Sequence, residues 1–270
     1  MSDKRGGTLF IDGIAFWAPT LPGWAAARAA FRGEAEPLAT PAKRPSPEVL
    51  APAERRRAPD TVALALEVAA AAVRESGLDA ATLPSIFTSA HGDLAINDYM
   101  CSTLANEPTL ISPTKFHNSV HNAAAGYWTI GTGCHEASTA LSAFDESFGA
   151  GLLEAASLAL ADARPVLLVC SDTAGSGPLA EVTGSAAPFG CALVLSPRAG
   201  ASTLGRLALH LCPGSIADAP TASAVPADWV AASPSASALP LLALLAQGAG
   251  RCQLMAAGSL GMDVHLEECA

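Results

Sequence analysis

Apolar residues along this chain follow two rhythms, one suited to helices and one to buried strands. From Thr61 to Ser76, the positions Val62, Leu64, Ala65, Val68, Ala69, Ala72 and Val73 recur at the spacing of one helix face and predict a helix. Asp60 stands where a capping side chain belongs, and Gly77 marks the stop. Glu146–Ala161 predicts a second clear helix, with an unusually small early face made by Ser147, Gly149, Ala150 and Gly151. Trp24–Gly33, Leu94–Ala105 and Leu239–Ala246 read as shorter helices. Strands are predicted at Thr8–Ala18, Ser85–Ala90, Pro165–Ser171, Cys191–Ser196 and Leu204–Leu211, the last two adjacent to each other. Pro165–Ser171 lacks polar alternation, the mark of a strand buried on both faces. Arg251–Ala257 and Met262–Glu267 read as a strand pair around the turn Gly258–Gly261. Glu34–Pro59, Thr173–Ala187 and Cys212–Ser237 carry Pro, Gly, Ala and Ser without a period and read as loops. Strands alternating with helices predict an α/β fold with a mixed sheet covered on both faces.

Thr109–Phe148 is the stretch around which the rest is organised. Ser112-Pro113 opens a helix, Thr114–Ile130, centred on the small residues of Asn122–Gly126. A short strand follows at Ala137–Ala143, then the acidic pair Asp145-Glu146 at the head of the next helix. Helix, loop, strand, tight elbow and buried helix is an order in which enzymes place a nucleophile. Here the elbow holds Phe144 and Asp145, neither of them a nucleophilic thiol or hydroxyl.

Composition narrows the function classes. The chain has 270 residues, half of them hydrophobic and only 15% charged, so it has ample core without staples. A net charge of −10 argues against nucleic acid or an anionic membrane surface as partner. The Arg55-Arg56-Arg57 run reads as a solvated face, with an acidic partner as the other reading. Seven cysteines, none in a C-x-x-C pair, read as reduced, mostly buried thiols of a cytoplasmic protein. The N-terminus shows no signal-peptide pattern, and the apolar runs are too short to span a bilayer.

Several local patterns carry chemistry on paper. His117 and His121 stand four residues apart, as metal ligands do on a helix, but a third ligand of clear geometry is missing. They are expected as hydrogen-bonded polar residues at a subunit interface, and no metal is expected. Cys134 with His117 or His121 makes a candidate thiol dyad for acyl transfer or hydrolysis, provided the side chains come within hydrogen-bond reach. Ser112 and Lys115 fit S-x-x-K without the partner motifs of that enzyme class. No dinucleotide or phosphate-loop motif is present, so no cofactor is expected.

The ordered segments IDGIAFWAP, RRRAPDTVALALEVAAAAVRESGLD, IFTSAHGD, ISPTKFHNSVHNAAAGYWTIGTG, PVLLVCSDTA and PFGCALVLS resemble the β-ketoacyl synthase family, from Thr8 to about Ser196. The resemblance implies the thiolase fold: a layered αβα half-fold with a mixed sheet, followed by a truncated C-terminal half. It implies one ketosynthase-like domain over 1–270, with a core at 8–211, a loop at 212–237 and a shortened remnant at 238–270.

Two departures from the family bear on function. The family places a cysteine at the elbow; counting on from Asn122 without gaps puts Asp145 there, and a one-residue slip puts Phe144 there. A thiolate attacks and leaves a thioester readily near neutral pH, whereas an acylated carboxylate is a labile anhydride. The C-terminal region holds only His265, in a strand-like context, where the family places two catalytic histidines. No catalytic residue is therefore carried over. A short ketosynthase-like chain without its cysteine is similar to a chain-length factor, such as the partner subunits of aryl-polyene pigment synthesis. The resemblance implies a heterodimer with a catalytic ketosynthase in fatty-acid- or polyketide-type synthesis, and an acyl carrier protein that docks mainly on that partner. It implies that Ala137–Ala143, including Thr139 and Leu141, pairs across a pseudo-twofold axis. Phe116, Tyr127 and Trp128 become candidate walls of the acyl tunnel, with Asn122 beside them. A stand-alone Cys134 acyltransferase or thioesterase and a homodimeric acyl-binding scaffold are the alternatives.

Overall fold

The computed structural model describes residues 7–213, 229 and 232–268. The strands are β1 (Thr8–Trp17), β2 (Ser85–Thr88), β3 (Ser138–Leu141), β4 (Val166–Asp172), β5 (Phe189–Ser196), β6 (Gly205–Pro213), β7 (Gly250–Ala257) and β8 (Leu260–Glu267). They form one sheet in the order β3-β2-β4-β5-β1-β6-β8-β7. β2 pairs in parallel with β3 and β4, while β5 runs antiparallel to both β4 and β1. β6, β8 and β7 continue the sheet in antiparallel pairs.

The helices are α1 (Trp24–Phe31), α2 (Pro52–Arg57), α3 (Asp60–Ser76), α4 (Leu94–Asn106), α5 (Pro113–Asn118), α6 (Ala123–Thr132), α7 (Ser147–Ala161), α8 (Pro178–Thr183) and α9 (Leu239–Gln247). α3 covers one face of β4, β5 and β1, α6 lies against β2 and β3, and the seven periodic residues of α3 all lie in the core beneath it. Gly13 makes that packing close: a Cβ there would stand 2.1 Å from the Ala72 carbonyl oxygen. The register of β1 against β5 shifts between Ile11 and Gly13, and the Ile14 N–H just beyond donates to Glu75 Oε2 at 2.8 Å.

α7 lies between the two ends of the sheet. A Cβ on Gly149 would meet the Met255 oxygen of β7 at 2.0 Å. One on Gly151 would meet Thr88 Cγ2 at 2.4 Å and Leu168 Cδ1 at 3.0 Å, on β2 and β4. Residues two apart on a helix point about 200° apart, so the glycines serve opposite faces. The small early face predicted for this helix is the contact by which it is sandwiched. Phe148, Leu152 and Ala156 of α7 share one core cluster with Leu241 and Leu244 of α9.

Some expectations are corrected. The strands at 191–196 and 204–211 are not adjacent, because β1 lies between β5 and β6. Pattern alone marks both as apolar but cannot assign their neighbours. Asp60 does not cap α3; it is the first helical residue, its carboxylate paired with Arg44 at 2.6 Å, and Pro59 takes the capping position. The loops at 34–59 and 173–187 contain the six-residue helices α2 and α8, too short to show a period. The expected helix Thr114–Ile130 is broken into α5 and α6 around 119–122, where Ser119, Val120, His121 and Asn122 all have modest helix propensity. In the expected loop 212–237, β6 runs on to Pro213 and a buried 3-10 turn begins at Pro234; residues 214–228 and 230–231 of it lie outside the described residues.

Candidate functional site

The connection from β3 into α7 is a tight elbow with backbone strain at one residue. Phe144 has φ of 50°, a conformation that costs a non-glycine residue about 1–3 kcal/mol unless its surroundings hold it. Ser147 does the holding: its Oγ accepts the Ala143 N–H at 2.9 Å and donates to the Phe144 carbonyl at 2.6 Å. Ser142 Oγ donates to the Ala90 carbonyl at 2.8 Å and pins the strand end beside the β2 loop. The Phe144 side chain is 66% exposed, with its ring centroid 5.9 Å from that of His91. Asp145 and Glu146 complete a short 3-10 turn at the head of α7. Glu146, not Asp145, takes the N-cap position of α7, without a side-chain cap bond. Ser147 already ties the turn from inside the helix. The two carboxylates still face the positive end of α7, which suits anions and leaves an adjacent thiolate little to gain.

Beneath the elbow lies a buried acid. Asp172, at the end of β4, accepts hydrogen bonds from Ser89 Oγ at 2.6 Å, the Ala90 N–H at 3.0 Å and Ser235 Oγ at 2.6 Å. Burial pushes its carboxyl above the usual range, against the opposing pull of Ser235, Ser89, the Ala90 amide and His91. Cys170 Sγ lies 3.2 Å from Ser235 Oγ, so β4 is tied to the turn before α9. Sequence reasoning missed Ser89, His91, Asp172 and Ser235. The one available signal was an Asp closing an otherwise apolar strand.

The residues singled out from sequence divide into three groups. His117, Asn122 and Tyr127 come together, with Val120 and Ile130, on a groove of about 630 Å³. Phe116 is 63% exposed on α5, outside that groove's lining. Trp128 is no wall: it is fully buried in the core under α3, with its ring 6.4 Å from that of Phe87. His121 lies in the turn between α5 and α6, so it does not share a helix face with His117; its Nε2 meets the Ser89 carbonyl at 3.0 Å. No group of three or more metal-binding side chains comes together among the described residues. Cys134 is buried, with its Sγ 3.5 Å from the Leu83 carbonyl oxygen. Ser112 caps α5 by accepting the Lys115 N–H at 3.4 Å, which accounts for the S-x-x-K spacing.

β3 ends the sheet among the described residues, and Ala137, Ser138 and Thr139 are exposed there. The Ala137 and Leu141 carbonyls accept the N–H groups of Ser85 in β2 and of Ser89 just past its end. Alternate residues of a strand face alternate neighbours, so the Ser138 and Ala140 backbone groups face the open edge. Between 104 and 144 the chain exposes Leu104, Leu110, Phe116, Val120, Ile130 and Phe144, a concentration of large apolar side chains on one segment. No helix among the described residues is long and apolar enough to cross a membrane.

Residues 24–258 match the family model described as beta-ketoacyl synthase, N-terminal domain. No curated protein matches the sequence. Among solved structures, the fold is similar to a ketosynthase (ApeO) in complex with its chain length factor (ApeC) from Xenorhabdus doucetiae. That match has 25% identity and a TM-score of 0.72, covering 96% of this chain and 99% of that one. The ishigamide ketosynthase/chain length factor matches at 16% identity and a TM-score of 0.70, covering 98% of this chain and all of that one. A ketosynthase from module 1 of the bacillaene synthase of Bacillus amyloliquefaciens matches at 13% identity and a TM-score of 0.56. There 79% of this chain covers only 47% of the other. The thiolase-like α/β fold expected from the sequence is the fold of this chain.

Proposed function

The chain belongs to the β-ketoacyl synthase family, and from that premise we propose that it is a non-catalytic subunit of the chain-length-factor type. It pairs with a catalytic ketosynthase and borders the tunnel in which that partner's acyl or polyene chain grows. The observation that carries this reading is the strained elbow of Phe144 and Asp145, where the family resemblance expects a thiol at Asp145 or, with a one-residue slip, at Phe144. A phenyl ring offers no lone pair to a thioester, and Asp145 and Glu146 beside it would repel a developing thiolate.

The route to a partner is the open β3 edge. Strand addition there satisfies the outward backbone groups of Ser138 and Ala140, while the neighbouring apolar side chains lose water. The groove with His117, Asn122 and Tyr127 then lies beside the tunnel, and Phe116 meets the partner directly. An acyl carrier protein docks mainly on the catalytic partner in this arrangement. The likeness of this chain to a structure of a ketosynthase in complex with its chain length factor supports the reading.

The test is co-expression with a catalytic ketosynthase, sought first among genes neighbouring that of this chain. The wild-type pair co-purifies and condenses acyl groups, whereas the chain alone does neither step and forms no acyl adduct. Ala140→Pro removes one outward N–H and leaves the β2–β3 bonds in place, so it should cut pairing about 10-fold or more while the chain stays folded. A thiol-directed ketosynthase inhibitor should label exposed Cys101 slowly at most and leave buried Cys134 and Cys252 untouched; burial pushes the Cys252 thiol up to about 12. Stoichiometric adduct at Cys134 in the native chain would sink the proposal.

A further inference from the structure

We propose that a cavity walled by Trp17, Leu64 and Ile96 and flanked by Arg57, Lys115 and Asn118 binds a small organic anion that also carries an amide N–H or a hydroxyl. The cavity holds about 630 Å³ and shares no lining residue with the elbow at Phe144. The inference stands on the cavity alone and is independent of subunit pairing.

Charge is the first observation. Arg44, Arg57 and Lys115 line this cavity in a chain whose net charge is −10. Two carboxylates line it as well, and both are engaged. Asp60 pairs with Arg44 at 2.6 Å. Asp93 accepts from Thr61 Oγ1 and from the Ile96 N–H, each at 2.8 Å, and so caps α4. Arg57 and Lys115 are therefore left without a carboxylate among the described residues. Lys115 Nζ stands 4.0 Å from the centroid of the Tyr99 ring, a contact that steadies the ammonium without neutralising it.

Asn118 is the second and independent observation. Its side chain lines the cavity, the residue is only 3% exposed, and its buried Oδ1 has no hydrogen-bond partner among the described residues. Leaving a buried acceptor unpaired is costly, so its partner comes from outside the chain. An acceptor needs an N–H or O–H, and the two free cations need an anion. One ligand satisfies both when a carboxylate or phosphate is joined to an amide. The apolar walls suit a hydrocarbon body on the same molecule.

The test is isothermal titration of the full chain with three matched probes: N-octanoylglycine, N-octanoyl phosphoethanolamine and neutral N-octanoylethanolamine. The proposal expects one-to-one saturable binding of at least one anionic probe, at least ~10-fold tighter than the neutral one. A preference for the carboxylate or for the phosphate identifies the source of the anion. Arg57→Gln and Lys115→Gln should each weaken that binding ~10-fold. Both residues are exposed, and an unchanged thermal melt verifies the fold of each variant. No saturable binding of either anion by about 5 mM, or binding that the two variants leave unchanged, overturns the proposal and leaves Asn118 served by water alone.

Discussion

The middle of the sheet and its C-terminal end solve burial in different ways. β4 and β5 are buried at every position, because α3 covers one face and α7 the other. In β4, Leu168 faces the α7 side and Val169 the α3 side. β6, β8 and β7 bury only one face. Leu207, Cys252, Val264 and Leu266 point inward to α7 and α9. Outward stand Arg206, paired with Glu267 at 2.9 Å, and Gln253, bonded to Asp263 at 3.0 Å. A strand with a helix on each side tolerates no polar alternation, while a strand with one wet face requires it.

Charge insertion should break this contrast most strongly. Leu168→Asp and Val169→Asp each place an unpaired carboxylate in core and should cost about 4 kcal/mol or more, seen as loss of the cooperative urea transition. Equal loss on both faces is the expected signature of β4; tolerance on one face would remove the sandwich. Gly149→Leu comes next. The obstacle is the Met255 backbone, which cannot rotate away, so about 3 kcal/mol and a fall in Tm near 10 °C are expected.

Asp172 sharpens the comparison through pH. Burial, chiefly, raises its folded pKa above the ordinary aspartate value of 3.8. Between that value and the folded pKa the native chain holds a proton that the unfolded chain releases. The associated stability is complete below about pH 4 and is lost as pH rises through the folded pKa. Urea midpoints of wild type and Asp172→Asn across about pH 4–7 should therefore show wild type losing ground as pH rises; a parallel pair of curves would refute the shift. Burial raises Glu67 and Glu75 in the same direction, and the difference between the two proteins cancels them. The smallest effect is expected outside: Asp263→Val on the wet face of β8 should change stability by no more than about 0.5 kcal/mol.

Much of this was legible in the chain. The apolar period of 61–76 specified α3 and the residues it buries, because a helix repeats its core-facing side chains whatever it packs against. The run at 165–171 declared a doubly covered strand, and ISPTKFHNSVHNAAAGYW carried the family. The glycines of α7 announced a close approach without naming what approached. Tertiary structure alone decided the rest. It seated β1 between β5 and β6, since strand order depends on which edges meet rather than on local pattern. It buried Trp128, left Phe116 in water and put the elbow's strain on Phe144, because helix breaks and elbow dihedrals answer to neighbours distant in sequence. Asn118 and Asp172 acquired their meaning in the same way: a polar side chain matters when burial removes its water, and burial belongs to the folded chain as a whole.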